Sequence, residues 1–177
     1  MFLLQMSGFP GSGKSTLARS IAKHTGAVVI DHDVVKTALM EAMNESVNNK
    51  DTGNVSYSIE WALIDFHLSH GHSVIHDSPC FYSSMLDNGE QLSRKHGAAY
   101  KYVECCLEDM AEVNRRLQQR DRMISQIAEV HSEEGFRKRL ADSKRPLDGN
   151  YLIVDTSKPV EHYLESVHEY MNDSSVV

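Results

Sequence analysis

Gly8-Phe9-Pro10-Gly11-Ser12-Gly13-Lys14-Ser15-Thr16 follows directly on the short apolar run Phe2 to Met6 and fits the pattern G-x-x-x-x-G-K-[ST] at every position. The glycines allow the backbone to bend tightly and to approach a polyphosphate. Consecutive N–H groups from Gly11 to Thr16 are expected to converge on its oxygens, with Lys14 adding a positive charge and Ser15 holding Mg²⁺. Behind the loop, Ser15 to His24 reads as a helix with Leu17, Ala18 and Ile21 on one face. Its N-terminal N–H groups and dipole add to the anion site. The strand before and the helix after supply the context that the motif needs, so Gly8, Gly11, Ser12, Gly13, Lys14, Ser15 and Thr16 are expected to bind a nucleotide. An ordinary glycine-rich turn is the plainer alternative.

Outward from this loop, strand-like and helical patterns alternate. Ala27–Ile30, Ser73–His76, Ala99–Glu104 and Tyr151–Val154 read as further strands. Helices are expected from about Val34, at Tyr82–His96, at Leu107–Arg120 and at Val160–Met171. Five strands with helices between them predict an α/β fold, a parallel sheet covered on both faces, with ligands at the carboxyl ends of the strands. Two stretches interrupt the alternation. Glu45–Asn54 is polar and asparagine-rich, and Tyr57–His70 follows as an extra helix, so residues 45–72 form an expected substrate-binding insertion. Residues 121–150 are charged and lack a strong apolar stripe, which predicts a mobile lid. Asn172–Val177 reads as a frayed tail.

A chain of 177 residues, 41% apolar, is the size of a single domain, taken here as 1–177. The formal net charge of −7 disfavours polyanionic partners such as nucleic acid unless a local basic patch exists. One cluster qualifies: Arg115 to Arg145 holds nine basic against five acidic residues. Cys80, Cys105 and Cys106 are too few and too awkwardly spaced for a disulfide framework, which points to reduced thiols and a cytoplasmic setting. No secretory leader and no long apolar run is read, so no membrane span is expected.

Candidate chemistry gathers at the strand ends. Ile30-Asp31-His32-Asp33 places two carboxylates on one side of an extended chain at the sheet edge where the loop opens. Phosphoryl transfer to an alcohol needs a carboxylate to position the hydroxyl and take its proton. Asp33 is the expected base, with helix capping as its alternative role; Asp31 and Lys36 are expected at the substrate. Asp77, ending strand three, is the metal-side candidate, with an Asx turn into Ser78-Pro79 as the alternative. His70, His72 and His76 lack a zinc-type spacing, and His76 is expected beside the cleft. Arg116 and Arg120 stand four apart, fitting one helix face that grips nucleotide phosphates or, alternatively, a solvated basic face. Arg122 or Arg139 could share that role, and the turn Asp155-Thr156-Ser157-Lys158-Pro159 could border a base.

On the loop Gly8–Thr16, the segment Asp31-x-Asp33-x-x-Lys36, the Val74–Asp77 strand end and Arg116-Leu117-x-x-Arg120, the chain resembles the small P-loop kinases grouped around polynucleotide kinase, zeta toxin and chloramphenicol phosphotransferase. Gluconate and shikimate kinases are more distant. The resemblance spans roughly residues 1 to 170. It implies the three-layer P-loop NTPase fold of the nucleoside-monophosphate-kinase type, ATP and Mg²⁺ as cofactors, Asp33 as base, and Lys14, Arg116 and Arg120 as the nucleotide clamp. Lys36 departs from the arginine common in polynucleotide kinase and zeta toxin. The expected reaction is transfer of the γ-phosphate to a hydroxyl of a small molecule. A nucleic-acid 5′-hydroxyl as acceptor, or an ATP-binding switch without any acceptor, are the alternatives. The guanine-reading motif N-K-x-D is absent, which favours adenine.

Overall fold

The computed structural model describes residues 1–43 and 49–173. Five parallel strands, β1 (Phe2–Ser7), β2 (Val28–Asp31), β3 (Val74–Asp77), β4 (Ala99–Cys106) and β5 (Leu152–Asp155), form one sheet in the order β2-β3-β1-β4-β5. Helices α1 (Lys14–Thr25), α2 (His32–Ala42), α3 (Asn49–Ser69), α4 (Ser83–His96), α5 (Met110–Gln119), α6 (Glu133–Ala141) and α7 (Leu164–Asn172) complete the α/β architecture.

The period of two along β1 sorts its side chains between layers. Leu4 and Met6 pack with Leu17, Ala18 and Ile21 of α1 and Val167 of α7. Leu3 faces the other way, with Ile64 and Leu68 of α3 and Val74 of β3. All of these are buried, and each apolar side chain so buried contributes roughly 1.5–3 kcal/mol before the entropy of ordering it is subtracted. Both faces are therefore covered, as a parallel sheet requires.

Several boundaries differ from the sequence expectation. The second helix starts at His32 instead of Val34, because Asp31 caps it: its Oδ1 accepts from the N–H of Asp33 at 2.9 Å and of Val34 at 3.4 Å. The inserted helix begins at Asn49 instead of Tyr57; the part of the polar stretch at 45–48 lies outside the described residues. Its buried face runs Thr52, Ser56, Glu60, Ile64, Leu68, polar in its first three members, and an apolar pattern cannot reveal such a face. The charged 121–150 stretch contains α6, whose Phe136 is buried edge-on against Phe9 at 4.8 Å, with Val113 and Leu117 alongside. One aromatic anchor replaces the missing stripe. The last helix is split: a 3₁₀ turn at Val160–His162 leads into α7, with Tyr163 non-helical between them. Asn172 closes α7 and the Asp173 carbonyl accepts from Lys101 Nζ at 2.8 Å, so these two residues are not frayed; residues 174–177 lie outside the description.

Candidate active site

The loop between β1 and α1 has the bends its glycines permit. Gly8 has φ 131° beside the Cys105 carbonyl, where a Cβ would collide, and Gly13 caps α1 at φ 93°. Lys14 is folded onto the loop, its Nζ donating to the carbonyls of Gly8 at 2.9 Å and Phe9 at 3.3 Å. Ser12 Oγ is buried without a partner. The loop floors a cleft of about 750 Å³ that also takes in Asp31, Asp33, Asp77, Arg116 and Arg120.

The strand ends concentrate the acids. Asp31 is in register with Asp77 on neighbouring β2 and β3. Burial, with Asp77 and Asp33 nearby, pushes the Asp31 carboxyl up to about 6, against the pull of its two cap hydrogen bonds. Burial also raises Asp77, although the Lys14 charge and the Ser15 hydroxyl oppose it. Asp77 Oδ2 is buried and unpaired, and its carboxylate makes no hydrogen bond to the following backbone, so the Asx turn is not formed. A buried carboxylate oxygen without a donor, beside the Ser15 hydroxyl, is a donor set that suits a hard cation.

Asp33 sits in the first turn of α2, relieved of capping by Asp31. Its Oδ2 accepts from Gln126 Nε2 at 2.7 Å, and its main-chain oxygen accepts from Ser125 Oγ at 3.1 Å. Arg116 and Arg120 both reach the cleft, but not from one helix face: α5 ends at Gln119, and Arg120 is an extended cap. Arg116 donates to Glu112 at 2.7 Å and to the Thr156 carbonyl at 2.8 Å. Arg120 donates to the Ile127 carbonyl at 2.8 Å, and burial lowers its guanidinium against the attraction of Asp33. Thr156, Lys158 and Pro159 of the turn after β5 line the same cleft. A second cavity of about 350 Å³ opens beyond Asp33, with Lys36, Tyr57, Tyr82 and Arg139 among its walls. His32, Asp33, Arg120 and Gln126 border both spaces.

Sequence reasoning missed what lies beneath. Glu60 is fully buried; its Oε1 is 2.7 Å from His32 Nδ1 and its Oε2 is 2.8 Å from His76 Nε2. His76 Nδ1 faces Gln5 Oε1 at 2.9 Å, so neither ring nitrogen is available to a metal. Burial works against the Glu60 carboxylate, but the two imidazoles outweigh it and hold the group below the usual carboxylate range. Tyr57 stacks on His32 at 4.3 Å. The signal was a lone acid in a four-residue repeat, Thr52-Ser56-Glu60-Ile64-Leu68, on the face the helix buries. Gln126, in an irregular segment, left no signal.

The profile of the AAA domain family, AAA_33, matches residues 3–145. The chain belongs to that family. Its fold is shared with a candidate kinase from Chloroflexus aurantiacus, at 17% identity and a TM-score of 0.73, over 96% of this chain and 97% of that one. A gluconokinase from Sinorhizobium meliloti is 16% identical with a TM-score of 0.61, over 96% and 91%. The APS kinase of Mycobacterium tuberculosis, solved with AMPPNP and APS, is 14% identical with a TM-score of 0.66, over 97% and 98%. These likenesses make the fold that of the P-loop kinases. No curated protein sequence matches the chain. No helix among the described residues is long and apolar enough to cross a membrane.

Proposed function

We propose that this AAA-family chain is an ATP-dependent kinase that transfers the γ-phosphoryl group to a hydroxyl of a small molecule. The observation that carries the reading is the position of Asp33, a carboxylate not used for capping, at the junction of the P-loop cleft and the second cavity. The loop amides and Lys14 hold the β- and γ-phosphates, Lys14 leaving the Gly8 and Phe9 carbonyls to do so. Arg116 and Arg120 spread over the donor, and the turn at Thr156–Pro159 borders its base. Ser15 and Asp77 fit a Mg²⁺ ion, which when bound would offset the charge on the phosphate oxygens.

Asp33 orients the acceptor oxygen in line with the γ-phosphorus. As the new O–P bond forms and the bond to the ADP oxygen breaks, the hydroxyl proton passes to the Asp33 carboxylate. The second cavity receives the acceptor between α2 and α3, with Lys36 and Tyr57 on its wall, and residues 121–150 act as the lid. Most arginines of the basic cluster are already paired, Arg115 and Arg116 with Glu112, Arg137 with Glu133, Arg145 with Glu104. That leaves little track for a nucleic-acid backbone and supports a small acceptor.

The test is ATP consumption across sugars, sugar acids and nucleosides, the gluconokinase fold being a reason to begin with sugar acids. With the acceptor that stimulates turnover, Asp33→Ala should lower kcat by roughly 10²–10⁴-fold, the usual worth of a positioned base, and leave nucleotide affinity within a few-fold. Unchanged kcat in that variant removes Asp33 from the role.

A further inference from the structure

The segment between α5 and α6 bridges two walls of the site. On one side Asn114 of α5 donates to the Val130 carbonyl at 3.0 Å and accepts from its N–H at 2.7 Å, while Arg120 holds the Ile127 carbonyl. On the other side Thr37 of α2 donates to Ser125 Oγ at 2.9 Å, and Ser125 in turn donates to the Asp33 main-chain oxygen. Between these anchors Gln126 reaches the Asp33 carboxylate. Its amide cannot be turned round without loss, because Oε1 accepts from the Met123 N–H at 3.2 Å, which leaves Nε2 to donate to Asp33 Oδ2 at 2.7 Å. A hydrogen bond to an ionised carboxylate is among the stronger kinds.

We propose that Gln126 holds the place at Asp33 Oδ2 that the acceptor hydroxyl takes during transfer, and so discriminates the acceptor from water. The proposal rests on the kinase reading above. Gln126 borders both the donor cleft and the second cavity, so a group that reaches Asp33 Oδ2 from either side displaces it. An acceptor has the rest of its surface to place in the second cavity and gains contacts there that offset the lost hydrogen bond. A water molecule has no such contacts. The reaction held in check is hydrolysis: water oxygen bonds to the γ-phosphorus, the bond to the ADP oxygen breaks, the water proton goes to Asp33 and then to solvent, and ADP and inorganic phosphate leave. Gln126 is thus a specificity-determining residue that acts through the base.

Release of inorganic phosphate from Mg-ATP, with no acceptor added, reads this directly. Gln126→Met keeps the length and removes only the amide, and Gln126→Ala is the second variant. Both should hydrolyse ATP roughly 10- to 100-fold faster than the native chain, the worth of one hydrogen bond to a charged group. The gain should vanish when Asp33→Ala is added, and AMPPNP affinity by calorimetry should stay unchanged. Hydrolysis at the native rate in both variants, or a gain that persists without Asp33, overturns the proposal. A native chain that binds no AMPPNP overturns the kinase reading itself, which keeps the two failures distinct.

Discussion

Asp31 and Asp33 are two residues apart and chemically identical, yet the structure gives them different work. Asp31 spends its carboxylate on two N–H groups at the start of α2, and Asp33 is left to face the cleft. Asp31 also stands next to Asp33 and Asp77, which with burial raises its carboxyl to about 6. A carboxyl raised in the folded state binds protons more tightly there than in the unfolded chain. Its contribution to stability is full below the ordinary carboxylate value and is lost as pH rises through about 6. Asp31→Asn keeps a capping oxygen and removes the charge. The variant should therefore melt at a higher temperature than the native chain at pH 8, with the difference shrinking toward pH 4, in melts followed by circular dichroism. A native advantage at pH 8 would show that the carboxylate charge is satisfied by something other than its cap. The doublet was evident in the sequence; which member caps was not, because that depends on where the helix begins.

At the scale of elements, the connection that matters is the one α3 makes. Glu60 on α3 reaches His32 at the start of α2 and His76 next to the end of β3, the immediate neighbours of Asp31, Asp33 and Asp77. One buried carboxylate thereby ties α3 to α2 and β3, the two elements that carry Asp33 and Asp77. Removing it leaves one nitrogen of each buried imidazole, His32 Nδ1 and His76 Nε2, without its partner, a loss of the kind that costs about 3–5 kcal/mol. Glu60→Ala should lower the stability of the chain by about that much in urea unfolding; a change under about 1 kcal/mol would mean that the network contributes little. A helix whose buried face opens with Thr52, Ser56 and Glu60 gives no apolar period to read, which is why its first two turns escaped the pattern. The same limit applies to α6, whose one buried side chain is Phe136, with Leu140 partly covered beside it.

For the whole molecule, the sheet order β2-β3-β1-β4-β5 sets the loop after central β1 between the carboxyl ends of its neighbours, so phosphate cradle, acids and arginines meet on one edge. Ligand binding at such an edge should stabilise the entire fold. AMPPNP with Mg²⁺ at a hundred times its Kd should add about 2.7 kcal/mol, several degrees in Tm. Lys14→Met should abolish that shift while leaving the ligand-free Tm within a few degrees. A full shift in the variant would place the nucleotide elsewhere.

The sequence alone determined the phosphate loop, the alternation of strands and helices, and the residue types at the strand ends, because those rest on local spacing: a motif of eight residues and periods of two and 3.6. Tertiary structure alone decided that Asp31 caps, that Gln126 covers Asp33, and that Glu60 joins two histidines 44 positions apart. Those are contacts between segments distant in the chain, and they exist only once folding has brought the segments together.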